Sequence, residues 1–192
     1  RVILQKTKRN TEAEAFKGTL IPKDSTLCVG VESVAVFQNT VMQGDYKGRK
    51  CDKYKVTFRV LEPGEFKDSR VSISLTAQTE RHVDGSGAVM VDNYGNSKKY
   101  VQFLQAIDPT IDDDNLPMPE SDDEAKSWGE SWVGNVLNVT FGTYNFKNST
   151  SGENVTVNTM KDAFKATQEQ LDAIMPAINL FLAEIAAKRG GG

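Results

Sequence analysis

The eight residues Lys53-Tyr54-Lys55-Val56-Thr57-Phe58-Arg59-Val60 constrain the fold more than any other part of the chain. Tyr54, Val56, Phe58 and Val60 alternate with Lys53, Lys55, Thr57 and Arg59, and a β-strand separates these two sets because its side chains point to opposite faces in turn. The apolar face must be buried and the basic face solvated, which is the pattern of an antiparallel sheet packed on a core from one side. Pro63-Gly64 supplies a turn, and beyond it Val71, Ile73 and Leu75 alternate with Arg70, Ser72 and Ser74, so the two segments predict a hairpin.

The remaining elements follow from the same patterning. Leu27, Val29 and Val31, then either Val34 and Val36 or Ala35 and Phe37, predict a long strand whose register shifts at Glu32 and Ser33. Leu137, Val139 and Phe141 predict a fourth principal strand, and Val155 with Val157 a fifth. Between the third and fourth, the run from His82 to Asn96 reads as turns around a short strand at Ala88 to Val91. Tyr100, Val101, Phe103, Leu104 and Ile107 then fit one face of a short helix. Thr167 and Gln170 form a capping box ahead of a stripe of Leu171, Ile174, Met175, Ile178, Leu182 and Ile185, and Pro176 divides this C-terminal helix in two. The expected class is mainly β, in the α+β sense. It is a five-stranded OB-fold-like barrel with a helix between strands 3 and 4 and an amphipathic C-terminal helix. Residues 1–25 form an N-terminal arm, or else a short helix through Glu12 to Phe16, 26–160 the barrel with an acidic surface loop at 108–124, and 161–192 the C-terminal helical segment.

With 192 residues, the chain has room for one ordinary domain, and no apolar run reaches the roughly 18–20 residues of a membrane span, so no membrane partner is expected. Two cysteines and the single His82 cannot make a four-ligand Cys/His zinc site. His82 sits among turn residues with no nucleophile elbow anywhere in the chain. Cys28 reads as a small, partly buried strand residue. Cys51, beside Lys50 and Lys53, reads as more exposed, with its thiolate favoured. Asp112, Asp113 and Asp114 would open a calcium loop, but Pro117 stands where that loop needs glycine. No phosphate-binding loop is present. The expectation is a protein that is not an enzyme and uses no cofactor or metal.

The net charge of −3 hides a segregation. Residues 47–70 carry eight Lys and Arg against four Asp and Glu, whereas residues 108–130 carry nine acidic residues against Lys126 alone. Strand pleating sets Lys53, Lys55 and Arg59 on one solvent face, the hairpin adds Arg70, and Tyr46, Lys47, Arg49 and Lys50 lie on the loop leading in. The parity that turns Asn138 and Thr140 outward also turns Tyr144 and Phe146 outward, next to Lys147. Cations along a phosphate backbone with aromatics for base stacking suit single-stranded nucleic acid. The same lysines equally suit protection of strand edges, and Tyr144 or Phe146 can equally cap the core. Trp128 and Trp132 read as core or loop anchors.

Three stretches carry a resemblance: Lys53-Tyr54-Lys55-Val56-Thr57-Phe58-Arg59-Val60-Leu61-Glu62-Pro63-Gly64-Glu65-Phe66-Lys67, Gly18-Thr19-Leu20-Ile21-Pro22, and Trp132-Val133-Gly134-Asn135-Val136-Leu137-Asn138-Val139. Over roughly residues 18–160 the chain resembles a group of bacteriophage OB-fold proteins thought to bind single-stranded DNA. The resemblance implies a role in phage DNA replication, recombination or repair in the cytoplasm of an infected bacterial host. It also implies a DNA groove on Lys53, Lys55, Arg59 and Arg70, with phage or host replication proteins as partners. Proteins of this function often end in an acidic tail that recruits partners. Here either such a tail lies outside this sequence or the loop from Asp112 to Glu124 serves instead. A phage structural or assembly protein is the alternative, and in either case a homodimer through 167–189 is one way to cover the C-terminal stripe.

Overall fold

A computed structural model of the chain describes residues 19–95 and 98–190. Its hub is the long strand β1 (Thr26–Thr40), which pairs with β2 (Lys50–Val60) along most of its length and with β6 (Val136–Lys147) at its N-terminal end. β2 pairs in turn with β3 (Arg70–Ala77), and β6 with β7 (Asn154–Lys165), giving an antiparallel five-stranded sheet in the order β3-β2-β1-β6-β7. The expected register shift is present, since β1 slips against β2 between Val31 and Ser33 and leaves Glu32 as the extra residue. A second irregularity, opposite Thr140 and Phe141, bends β7 at Lys161.

The inner face is built from Val29 and Val31 of β1, Tyr54, Val56, Phe58 and Val60 of β2, Val71, Ile73 and Leu75 of β3, and Leu137, Val139 and Phe141 of β6. β3 and β7, at opposite ends of the strand order, come near one another without pairing. Helix α1 (Lys98–Ile107) packs where they converge, burying Tyr100, Phe103 and Leu104. The fold is therefore α+β with an antiparallel five-stranded sheet that curls without closing.

The connection from β3 to β6 holds more than the short strand and single helix that the patterning predicts. A separate hairpin, β4 (Thr79–Val83) and β5 (Val89–Asn93), precedes α1, and α2 (Asp122–Glu130) follows it. His82 accordingly lies on a strand, opposite Met90, and is exposed. The end of the expected acidic loop is helical, because Ser121 caps α2 and Asp122, Asp123 and Glu124 occupy its first turn, where carboxylates favour the exposed N–H groups. Trp132, just past α2, is a core residue in contact with the Tyr54 and Phe103 rings, and Trp128 donates to the Tyr100 hydroxyl at 2.8 Å.

The sheet continues past residue 160, since β7 ends at Lys165. The expected helix over Glu12 to Phe16 lies outside the described residues. The end of the expected arm is fastened to the sheet: Ile21 is buried, its N–H donates to Asn158 Oδ1 at 2.9 Å, and its carbonyl accepts from Asn158 Nδ2 at 2.8 Å. The chain closes with α3 (Gln168–Ala173), entered through the predicted capping box, and α4 (Met175–Gly190). No described helix is long and apolar enough to cross a membrane.

Candidate nucleic-acid interface

The outer face of β1, β2 and β3 is laid out in cross-strand rows. Phe37, Lys53 and Thr76 make one row, Ala35, Lys55 and Ser74 the next, and Ser33, Thr57 and Ser72 the third. Apart from Phe37 and the two lysines, these side chains are small, and the Thr57 and Ser72 hydroxyls share a hydrogen bond of 2.8 Å. The result is a low platform with one aromatic ring, 46% exposed, beside two ammonium groups. Phe37 is a residue that charge counting missed. It could have been found by carrying the outward parity of Ala35 one step along β1.

The fourth row ends the platform. There Gly30 stands opposite Arg59, and Arg59 opposite Arg70, and helix α4 covers the row. Pleating puts Arg59 on the outer face as expected, yet it is not solvated. Its side chain is only 11% exposed, bonded to Glu32 and, at 3.0 Å, to Glu184 of α4. Burial works against its charge, but the Glu32 and Glu184 carboxylates outweigh burial and raise its pKa. Arg70 is more open and also donates to Glu32, at 2.7 Å, and Lys188 of α4 approaches the same carboxylate at 3.7 Å. Glu32, the bulge residue, thus gathers three cations where strand alternation suggests a free basic groove.

Arg49 is likewise committed. It bridges Asp92 at 2.5 Å and Glu80 at 2.8 Å, and its guanidinium lies 4.0 Å from the centre of the Tyr94 ring. The hydrogen bonds to Asp92 and then Glu80 hold its pKa above the ordinary arginine value. Lys47 and Lys50 are exposed, and Tyr46 is 38% exposed with its ring 5.1 Å from that of Tyr94.

At the other end of β1 lies a second patch. Tyr144 and Phe146 point outward, 59% and 39% exposed, with their rings stacked at 6.1 Å, Lys147 beside them, and Val157 and Val155 opposite on β7. The parity argument holds for both rings, and neither caps the core. The structure divides the residues that sequence places in one groove. Thr26 pairs with Thr140, so Tyr144 lies beyond the start of β1, whereas Phe37 is roughly 36 Å of strand contour in the opposite direction. The C-terminal helices lie over the outer face between them, through Phe181 on Gly30 and Gln170 on Asn138.

Neither cysteine has a reactive setting. Cys51 is 3% exposed, a correction to the expected accessible thiolate, and burial raises its pKa despite nearby Lys53. Burial, helped by Glu62, pushes the Cys28 thiol up to about 11. In the acidic loop the Asp112 carboxylate accepts from the amides of Asp114 and Asn115, at 2.9 and 3.0 Å, and so closes a local turn. Comparison with protein-family models, curated proteins and solved structures gives no match for this chain.

Proposed function

We propose that the chain binds single-stranded DNA on the outer face of β1, β2 and β3. The observation that carries the reading is the platform of Phe37, Lys53 and Lys55 set among small hydroxyl and methyl side chains. A base can lie flat there while its phosphates meet ammonium groups. The strand order supports it, because we read the curled sheet as a partly open OB barrel, a fold that takes oligonucleotides on its second and third strands and the loops after the first and fourth. Those loops here follow β1, with Tyr46 and Lys47, and β6, with Tyr144, Phe146 and Lys147 beside it. Arg59 and Arg70 serve in this reading to seat α4 at the edge of the platform. The phage setting, the part in replication, recombination or repair within an infected bacterial host, and replication proteins as partners belong to the same proposal through the sequence resemblance.

A fluorescence titration with an unstructured oligonucleotide at several salt concentrations tests it. Affinity is expected to fall steeply with salt, and Lys53→Ala and Lys55→Ala each to weaken binding and lower the salt slope by about 1. Unchanged affinity in the double variant would overturn the assignment.

The second reading, a phage structural or assembly protein, draws on α4. Ile174, just before it, and Ile178 and Phe181 are spent on the chain's own sheet, but Met175, Leu180 and Leu182 remain exposed and could join a second copy through 167–189. Sedimentation decides whether such a homodimer forms.

A further inference from the structure

An open cleft of about 440 Å³ lies where the β1–β2 loop, the base of the β4–β5 hairpin, α1 and the acidic loop meet. That size suits a small organic ligand. Its buried lining comes from Ala77, Tyr100 and Val101 with the polar Thr79 among them, and Tyr46 adds an exposed aromatic ring. The ring is held in place from behind. The Tyr94 hydroxyl donates to the Lys50 carbonyl at 2.6 Å, and Arg49, itself anchored by Glu80 and Asp92, covers the Tyr94 ring against which Tyr46 rests.

Thr79, Asn93 and Asp113 contribute hydrogen-bonding groups. The Asn93 amide nitrogen is placed to donate to the carbonyls of Gly95 and Gln78, at 3.2 and 3.1 Å, which leaves its oxygen as an acceptor. The charge pattern selects the ligand. Among the described lining residues none is Lys or Arg and one is a carboxylate, so a phosphate is disfavoured inside, while Lys47, next to Tyr46, stands ready outside. A planar heterocycle with a hydrogen-bonding edge fits an aromatic wall and an amide rim, as in the recognition of unstacked bases.

We propose that this cleft takes one unstacked nucleobase of a bound strand, with the flanking phosphates kept outside it beside Lys47. The inference rests on the single-strand reading above and adds a position at which a base is individually held.

Two readouts test it. In saturation-transfer NMR, adenosine, cytidine, guanosine and thymidine are offered separately at millimolar concentration. In binding titrations, a single abasic site is walked along a short oligonucleotide. At least one nucleoside is expected to receive saturation, and one abasic position to cost about tenfold in affinity. Both effects are expected to shrink severalfold in Tyr46→Ala, an exposed loop change, and in Asn93→Leu, with melting temperatures checking that each variant is folded. If neither readout responds to either variant, the cleft assignment is overturned. Nucleoside binding without oligonucleotide binding would keep the cleft and remove the strand reading. Salt-dependent oligonucleotide binding with all abasic positions equivalent and no nucleoside signal would do the reverse.

Discussion

The ring of Phe181 lies across the backbone of Gly30, so that a Cβ at Gly30 would stand 2.6 Å from ring atom Cζ and nearer still to Cε1. Glycine here is a seat for α4 rather than a turn residue. It lets the helix approach β1 closely enough for Cys28, Leu61, Ile174, Ile178 and Phe181 to close a second small core. Gly30→Ala is expected to destabilise the protein by about 1–3 kcal/mol, since overpacking must displace either the ring or the strand. In the double variant with Phe181→Ala the two losses should not add, because the smaller side chain vacates the space that the methyl needs. Urea unfolding of the four proteins measures this coupling, and strict additivity would place the strain elsewhere.

Asp52 and Arg81 join the sheet to the β4–β5 hairpin. Both Arg81 terminal nitrogens donate to the Asp52 carboxylate, at 2.6 and 2.8 Å, and the two side chains are 2% and 8% exposed. Arg81→Leu leaves a buried carboxylate without its cation and is expected to cost about 3–5 kcal/mol. Arg81 also donates to Asp122, which is 81% exposed, and Asp122→Ala should cost no more than about 1 kcal/mol. Equal losses in denaturant melts of the two variants would contradict the division between buried and surface pairs.

The carboxylate of Glu32 gives the docking of α4 a dependence on acid. Burial pushes its pKa up, but the hydrogen bonds from Arg70 and Arg59 outweigh burial, and the folded value lies below the ordinary 4.5. A depressed acid stabilises the fold fully above its unfolded pKa and loses that contribution as pH falls through the folded one. Stability is therefore expected to be level in this respect above about pH 4.5 and to decline below it as Glu32 protonates. In Glu32→Gln the protein should be weaker at neutral pH and show a shallower decline in acid, read from thermal melts between pH 3 and 7. An acid limb of unchanged steepness would assign the loss to other carboxylates.

Strand patterning made the five principal strands, the bulge at Glu32 and the outward aim of Tyr144 and Phe146 legible, because a period of two needs only nearest neighbours to be read. The misreadings occur where tertiary pairing decides. Arg59 has the right parity for solvent, yet nothing local in Lys55 to Val60 says that Glu32 and Glu184 will claim it. The C-terminal helix divides at Pro176 as expected, and Leu171, Ile174, Ile178 and Ile185 of the stripe pack toward the sheet, but Phe181, outside the stripe, joins them while Met175 and Leu182 stay exposed. The short strand β4 reads polar because its middle residues are Glu80, Arg81 and His82, and the first two are held by ion pairs to Arg49 and Asp52, which lie far from them in sequence.

The aromatic pair on the β6–β7 hairpin separates binding from stability most cleanly. Tyr144 and Phe146 stack on each other at 6.1 Å and both stay exposed, Tyr144 more than Phe146, so neither belongs to the core of the fold. Tyr144→Ala and Phe146→Ala are expected to shift the melting temperature only slightly. If a strand crossing the platform reaches the hairpin, each ring that stacks on a base should be worth about 1–3 kcal/mol of affinity, close to ten- to a hundredfold. The C-terminal helices stand between platform and hairpin, so an oligonucleotide short enough to cover only Phe37, Lys53 and Lys55 should be indifferent to both substitutions, whereas a longer one should lose affinity. Titrations with a length series of oligonucleotides against the parent and both variants measure this directly. Loss of affinity at every length would mean that the hairpin and the platform act as one continuous site, and no loss at any length would confine the strand to β1, β2 and β3.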